Sequence, residues 1–244
     1  MTSMPGESAD THPLASMLLA AAAGRFPPSD LAIEVLGPPP GPVDAVVAFS
    51  GHNVIATGVD PDLVRASVPS DDPGAPMSAP FLTWLGERLG APPGMADLVL
   101  VADPPGPPDR LGAHPGLANR DDLAGHPRLA RARRYRTEVR AYGDPEGRTL
   151  VVLGRGLAGR LEVSVEVEPA YRRAGLGRAI AEAARALSGG GEPLFAQVSP
   201  GNVASVRAFL AAGYRPVCGE VLFLTRPASS SVAWLGVDSG TPRT

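Results

Sequence analysis

Hydrophobic and polar positions alternate with a period of two over Arg160–Val167, as a β-strand with one apolar and one polar face requires. A turn marked by Pro169 follows. Arg172-x-x-Gly175-x-Gly177 then opens a segment whose apolar positions Leu176, Ile180, Ala183 and Leu187 share one side of a helix. Before this strand the pattern predicts a helix over Pro127–Arg136 and strands over Thr137–Tyr142 and Thr149–Leu153, joined by a GDPEG turn. After it come a strand over Leu194–Val198, a helix with Val203, Val206, Phe209 and Leu210 turned inward, and a closing hairpin over Tyr214–Thr225.

The first half of the chain is punctuated more heavily by proline and glycine. A short helix is expected over Leu14–Gly24, a hairpin of Val43–Phe49 and Asn53–Val59 around Ser50-Gly51-His52, helices over Pro61–Val68 and Ala79–Leu89, and a strand over Met95–Ala102. Residues 1–13 read as a disordered leader. Residues 104–125 read as a linker, richest in Pro and Gly over 104–116, and residues 227–244 as a polar tail with an apolar island at Val232–Val237. This division sets an N-terminal α/β lobe at 14–103 against a second domain at 126–226.

Composition narrows the chemistry. With 244 residues, 44% of them apolar, the chain can bury a real core in one large domain or two small ones. All 22 basic residues are arginine, so no lysine-dependent mechanism is open to it. A formal charge of −3 argues against an extended nucleic-acid surface. The cluster Arg128, Arg131, Arg133, Arg134, Arg136 and Arg140 accordingly reads as a solvated helix face. The lone cysteine, Cys218, excludes an intramolecular disulfide and a Cys-rich zinc site, and reads as a buried strand residue. A reducing, cytoplasmic setting is the simple inference. Leu14–Ala23 is too short to span a membrane and is preceded by Glu7 and Asp10, unlike a signal peptide. His12, His52, His114 and His126 are too scattered for a metal site of familiar spacing.

The turn from Tyr171 to Gly177 contains no Ser, Thr, Asp or Asn, so no usual side-chain cap serves the helix that follows. Its unpaired N–H groups and the helix dipole suit an anion, and a phosphate could act as the cap. A Gly-rich turn alone is weak grounds. The second segment, Asn202-Val-Ala-Ser205-Val-Arg-Ala-Phe209-Leu-Ala-Ala-Gly213-Tyr214, adds to it.

Together the two segments resemble the acetyl-CoA-binding core of the GNAT superfamily of N-acetyltransferases. That family's first motif is (Q/R)-x-x-G-x-(G/A); its second is a strand, then N-x-x-(A/S)-x-x-x-(Y/F)-x-x-x-G-(F/Y). The resemblance covers residues 137–226 and implies an α/β (α+β) fold, a mixed and mostly antiparallel sheet flanked by helices. It also implies acetyl-CoA as acyl donor and a primary amine, favoured as a small molecule, as acceptor. By the same resemblance Val165 and Val167 would meet pantetheine through their backbone. Arg172, Arg173, Ala174, Gly175, Leu176, Gly177 and Arg178 would hold the pyrophosphate, while Asn202 and Ser205 would contact the pantetheine arm. Asn202 serves equally as a helix N-cap, and Arg172 and Arg173 as solvated charges.

Glu162, Ser164, Glu166 and Glu168 share the polar face of their strand. Family members often carry a glutamate here that deprotonates the amine, and Glu162 is the expected base; the alternative is that all three glutamates face water. Phe209 stands where many members have a proton-donating tyrosine, leaving Tyr214 and Tyr171 as the nearest hydroxyls in sequence. The family's first strand and helices come either from Met95–Ala102 with the Arg-rich helix, or from elsewhere if residues 14–103 form a degenerate GNAT-like half. The second is preferred. A CoA-binding module without catalysis is the competing function, and oligomeric state stays open.

Overall fold

The computed structural model describes residues 11–69, 72–104, 116–188 and 191–226. Residues 1–10 of the expected leader, 105–115 of the linker with His114, and the tail from 227 with its island at Val232–Val237 lie outside the described residues.

Ten strands form one sheet: β1 (Ile33–Leu36), β2 (Val43–Phe49), β3 (His52–Ala56), β4 (Asp97–Ala102), β5 (Ala118–Asn119), β6 (Thr137–Gly143), β7 (Thr149–Arg155), β8 (Leu161–Val167), β9 (Leu194–Val198) and β10 (Arg215–Leu224). Their spatial order is β1-β3-β2-β10-β4-β9-β8-β7-β6-β5, antiparallel except for the pairs β1/β3 and β8/β9. The fold is the expected mixed α/β class, with helices on both faces.

Alternation assigns the layers. On β4, Val99 and Val101 face one core with Leu14 and Leu18 of helix α1 (Pro13–Ala22), while Leu100 and Ala102 face the other. The second core holds Ile180 and Ala184 of α5 (Leu176–Leu187) and Phe209 of α6 (Val203–Ala211), packed on Val151, Leu153 and Val163. Helices α2 (Pro61–Ser67) and α3 (Ala79–Leu89) extend that layer over Val46, Ile55 and Phe223. The Arg-rich helix α4 (Pro127–Tyr135) lies on the opposite face, burying Leu129 and Ala132 against Ala141, Leu150 and Val152.

Several elements differ from expectation. The closing hairpin is a single strand, β10, because both its edges are taken: β2 pairs along one and β4 along the other. Pro216, which lacks a ladder donor, sits where the register shifts between Pro216 and Cys218. Val203 and Leu210 of α6 are exposed, so its apolar stripe narrows to Phe209 and the half-buried Val206. Strands β1 and β5 had no pattern strong enough to announce them. His12 belongs to α1 as its cap, its Nδ1 accepting from the Leu14 N–H at 3.2 Å.

Residues 14–103 thus contribute four of the described strands, the block β1-β3-β2 and the separate β4, and β10 from the C-terminal part lies between them and joins them. Asp44 on β2 clamps this join. Fully buried, it accepts from the Thr57 hydroxyl at 3.0 Å, the Gly58 N–H at 2.8 Å, the Thr225 hydroxyl at 3.0 Å and Arg226 Nη1 at 2.7 Å. Asp44→Ala strands these donors and should cost about 2–3 kcal/mol in urea unfolding. A loss under about 0.5 kcal/mol, the scale of ordinary surface changes, would show that the clamp is incidental.

Candidate functional site

Strand β8 pairs with β7 over its whole length, from Leu161 opposite Arg155 to Val167 opposite Thr149. Its other edge behaves differently. It meets β9 only at Glu162 with Phe195 and at Val163 with Ala196, and beyond Val163 the two parallel strands part. One backbone edge of Ser164–Val167 is therefore left without a strand partner among the described residues.

The turn after β8 runs through a short 3₁₀ segment, Pro169–Tyr171, into α5. Gly175 caps the helix at φ 79°, in the left-handed region, without any side-chain cap bond. Arg173 also has positive φ, 67°, an uncommon state for a residue with a Cβ. Among the described residues, no protein acceptor takes the N–H groups from Arg173 to Arg178; the first helical bond runs from Ala179 N to Gly175 O at 3.2 Å. Most of the residues that carry these donors border the space where the strands separate.

A cavity of about 740 Å³ fills that space. Val165, Val167, Arg172, Arg173, Gly175, Leu176, Gly177, Arg178, Asn202 and Ser205 all line it. Ala174, alone of the expected donor-site residues, does not. The structure also adds Arg128, Tyr171, Arg207, Ala208 and Phe209 to its walls. Arg172 Nε donates back to Val167 O at 3.0 Å, tying the turn to the end of β8. Asn202 does cap α6, its Oδ1 accepting from Ser205 N at 3.2 Å, and it lines the cavity as well.

Glu162 is not where a general base would stand. Its side chain is fully buried, Oε2 accepting from Arg136 Nε at 2.7 Å and Oε1 from Arg160 Nε at 2.8 Å and the Leu157 N–H at 3.2 Å. Burial alone would push its pKa up, but the guanidiniums of Arg160 and Arg136 outweigh that and hold it below the ordinary carboxylate value. Gly156 makes room for it: a Cβ there would lie 2.2 Å from Glu162 Cδ. The network runs on through Arg160 Nη2 to Glu220 Oε1 at 2.7 Å, where the Gln197 amide also donates. Two strong donors and a depressed pKa make Glu162 a fixed anion, and the expectation that it deprotonates the amine is set aside on that geometry.

The polar face of β8 meets water only in part: Glu162 is buried, Ser164 and Glu166 are half-buried beneath α4, and Glu168 beyond the strand is exposed. Arg128 pairs with Glu166, and Arg136 with Glu162 and, more weakly, Ser164 at 3.4 Å. The arginine cluster is thus only partly a solvated face. Arg128, Arg131, Ala132, Tyr135 and Arg136 recur at helical spacing and wall a second, smaller cavity of about 150 Å³, shared with Ser164, Gln197, Leu222, Gly94, Met95 and Asp97. Arg128 lines both cavities.

Tyr214 is excluded as a proton donor to the larger cavity. It is buried edge-on against Phe209 at 4.9 Å, its hydroxyl donates to Ala181 O at 3.1 Å, and burial raises its pKa. Cys218 is buried and burial likewise raises its pKa, as an inert thiol. Among the described residues, no helix is long and apolar enough to cross a membrane, and no cluster of three or more His, Cys, Asp or Glu could hold a metal ion.

No family profile matches the chain, and no curated protein sequence matches it. Solved structures similar to it include one described as an acetyltransferase of the GNAT family from Novosphingobium aromaticivorans, 21% identical with a TM-score of 0.39, the alignment covering 55% of this chain and 66% of that one. An acetyltransferase from the GNAT family of Colwellia psychrerythraea is 13% identical with a TM-score of 0.36, covering 61% and 63%. A GCN5-related N-acetyltransferase from Kribbella flavida is 20% identical with a TM-score of 0.37, covering 60% and 64%. The chain spans less than two thirds of the length of each.

The two roles for Glu162 separate cleanly. Glu162→Ala leaves the buried Arg136 without its carboxylate and Arg160 with Glu220 alone, and should cost about 3–5 kcal/mol. Because its folded pKa is depressed, the contribution is present above the unfolded pKa and lost as pH falls, so the variant should show a shallower loss of stability on acidification. A variant as stable as the parent at neutral pH would contradict this structural role.

Proposed function

We propose that the chain is an acetyl-CoA-dependent N-acetyltransferase of the GNAT type, acting on a primary amine of a small molecule. One observation carries the reading: a parted pair of parallel strands and a glycine turn of unpaired N–H groups open into the same cavity. Coenzyme A has the matching shape, an amide-bearing arm beside a diphosphate. The free edge of Ser164–Val167 offers the arm the hydrogen bonds of a missing strand, chiefly at Val165 and Val167. The N–H groups of Arg173–Arg178, with the Arg172 and Arg173 guanidiniums, suit the diphosphate. Asn202 and Ser205 on α6 close the opposite wall.

When bound, the thioester supplies an activated acetyl group. The protein's part is to hold the amine in line and receive its proton. Residues 14–103, read as a degenerate GNAT-like lobe, would shape the acceptor side, since Gly94, Met95 and Asp97 wall the smaller cavity.

A catalytically silent CoA-binding module is the second reading. It is favoured by Phe209, which offers no proton to a leaving thiolate, and by the locked Glu162. Calorimetric titration with acetyl-CoA beside a thiol-release assay over an amine panel divides the two: binding without release favours the module, and no binding removes both. Gly175→Asp places a side chain and a negative charge at the turn, so affinity for acetyl-CoA should fall about a hundredfold or more, equivalent to about 3 kcal/mol. Unchanged affinity in a folded variant would move the site elsewhere.

A further inference from the structure

The smaller cavity lies across β8 from the larger one, and Ser164 in its wall immediately precedes Val165 in the other. Its charges are unevenly committed. Arg136 is held by Glu162 and Arg128 by Glu166. Arg131, one wall of α4, has no carboxylate within 4.0 Å among the described residues and rests over the Tyr135 ring at 5.6 Å. Asp97 pairs through its backbone with Glu220 at the start of β4, but its carboxylate likewise has no hydrogen-bonded or ion-pair partner among the described residues. One free cation and one free anion therefore face the same small space from different elements.

We propose that this cavity takes a primary amine that also carries an anionic group, its ammonium against Asp97 and its anion against Arg131. This rests on the acetyltransferase reading for the reaction, but not for the binding. A plain amine would complement Asp97 and leave Arg131 unmatched; an amino acid-like molecule complements both. A volume near 150 Å³ suits a ligand of that size.

Asp97 is also placed to receive the proton. Burial pushes its pKa up to about 6, with Glu220 on β10 adding to the shift, Arg131 on α4 opposing it and Glu162 on β8 adding a little. Asp97 takes one proton from the ammonium, and the freed amine forms a bond to the thioester carbon. As the carbon–sulfur bond breaks, the second N–H proton leaves with the sulfur, giving amide and free thiol; Asp97 then returns its proton to solvent.

The test uses the full chain with acetyl-CoA and matched pairs of amines: 4-aminobutyrate against butylamine, and alanine against alaninamide. Thiol release should favour the carboxylate-bearing member in at least one pair by about tenfold in kcat/KM. Arg131→Gln should narrow that preference mainly through KM. Asp97→Asn should lower kcat and remove the limb of the pH profile near 6, while acetyl-CoA affinity stays within about twofold, since Asp97 does not line the donor cavity. Preference for the neutral member in both pairs, or a preference untouched by Arg131→Gln, overturns the proposal. Loss of acetyl-CoA binding in the parent would instead sink the transferase reading. The pocket is then judged by direct titration of the same pairs, and equal affinity for both members overturns it.

Discussion

Two arginines hold one carboxylate at the point where the sheet comes apart. Glu162 occupies one of the last paired positions of β8 and β9, and Arg136, at the end of α4, reaches across the parting: Nε to Glu162, Nη1 to Ser164 and Nη2 to Gln197 at 3.3 Å. Desolvating these charges is costly, and well-packed apolar residues could serve stability as well. An apolar plug, however, would not direct the two strands apart. Arg136 instead bridges Glu162 on β8 and Gln197 on β9, spanning the point where pairing stops. Gly156 is bound to this arrangement, since any side chain there would collide with Glu162.

From that point the rest of the site follows. Strands that separate at Val163 leave a free edge on Ser164–Val167, and the wedge between them opens toward the uncapped start of α5 on one face and toward α4 on the other. Both halves of the chain build the second face. Strand β4 is inserted between β9 and β10, so Asp97 reaches the wall that α4 covers, while Glu220 on β10 closes the ion network from beneath. The clamp at Asp44 keeps β10 registered against β2, so the N-terminal block is coupled to the site through the sheet itself.

The residues that meet at the larger cavity were legible in the sequence and the ion network beside it was not, for a physical reason. The glycine turn is local: its glycines, its missing cap and its following apolar stripe lie within Tyr171–Leu187, and the period-two strand before it is contiguous. Asn202 and Ser205 are equally local to the start of α6. The ion network is not. Glu162 joins residues at 136, 160 and 220, and a strand glutamate alternating with valines looks the same whether it faces water, substrate or buried arginines. The one available signal was the spacing of Arg128, Arg131, Tyr135 and Arg136, which places them on a single stripe of α4 rather than around it. Strand β10 was misread because Pro216 and Gly219 look like turn residues until neighbours on both edges hold them extended.

The two faces of the site also differ in what holds their ligands. Under the proposed reading the donor side would work mainly through backbone, with N–H groups on the turn and the edge of β8, so most side-chain changes there should alter affinity little unless they fill the turn or close the wedge. The proposed acceptor side would work through side-chain charge on α4 and β4, where a substitution at Arg131 or Asp97 changes the charge of a wall. A scaffold divided in this way can keep one cosubstrate while its acceptor changes. Arg131 is exposed and free of ion pairs among the described residues, which makes it the position at which such a change costs the structure least. Arg136, buried across the parting of the strands, cannot vary in the same way, because the charge that would select a ligand there also holds the sheet open.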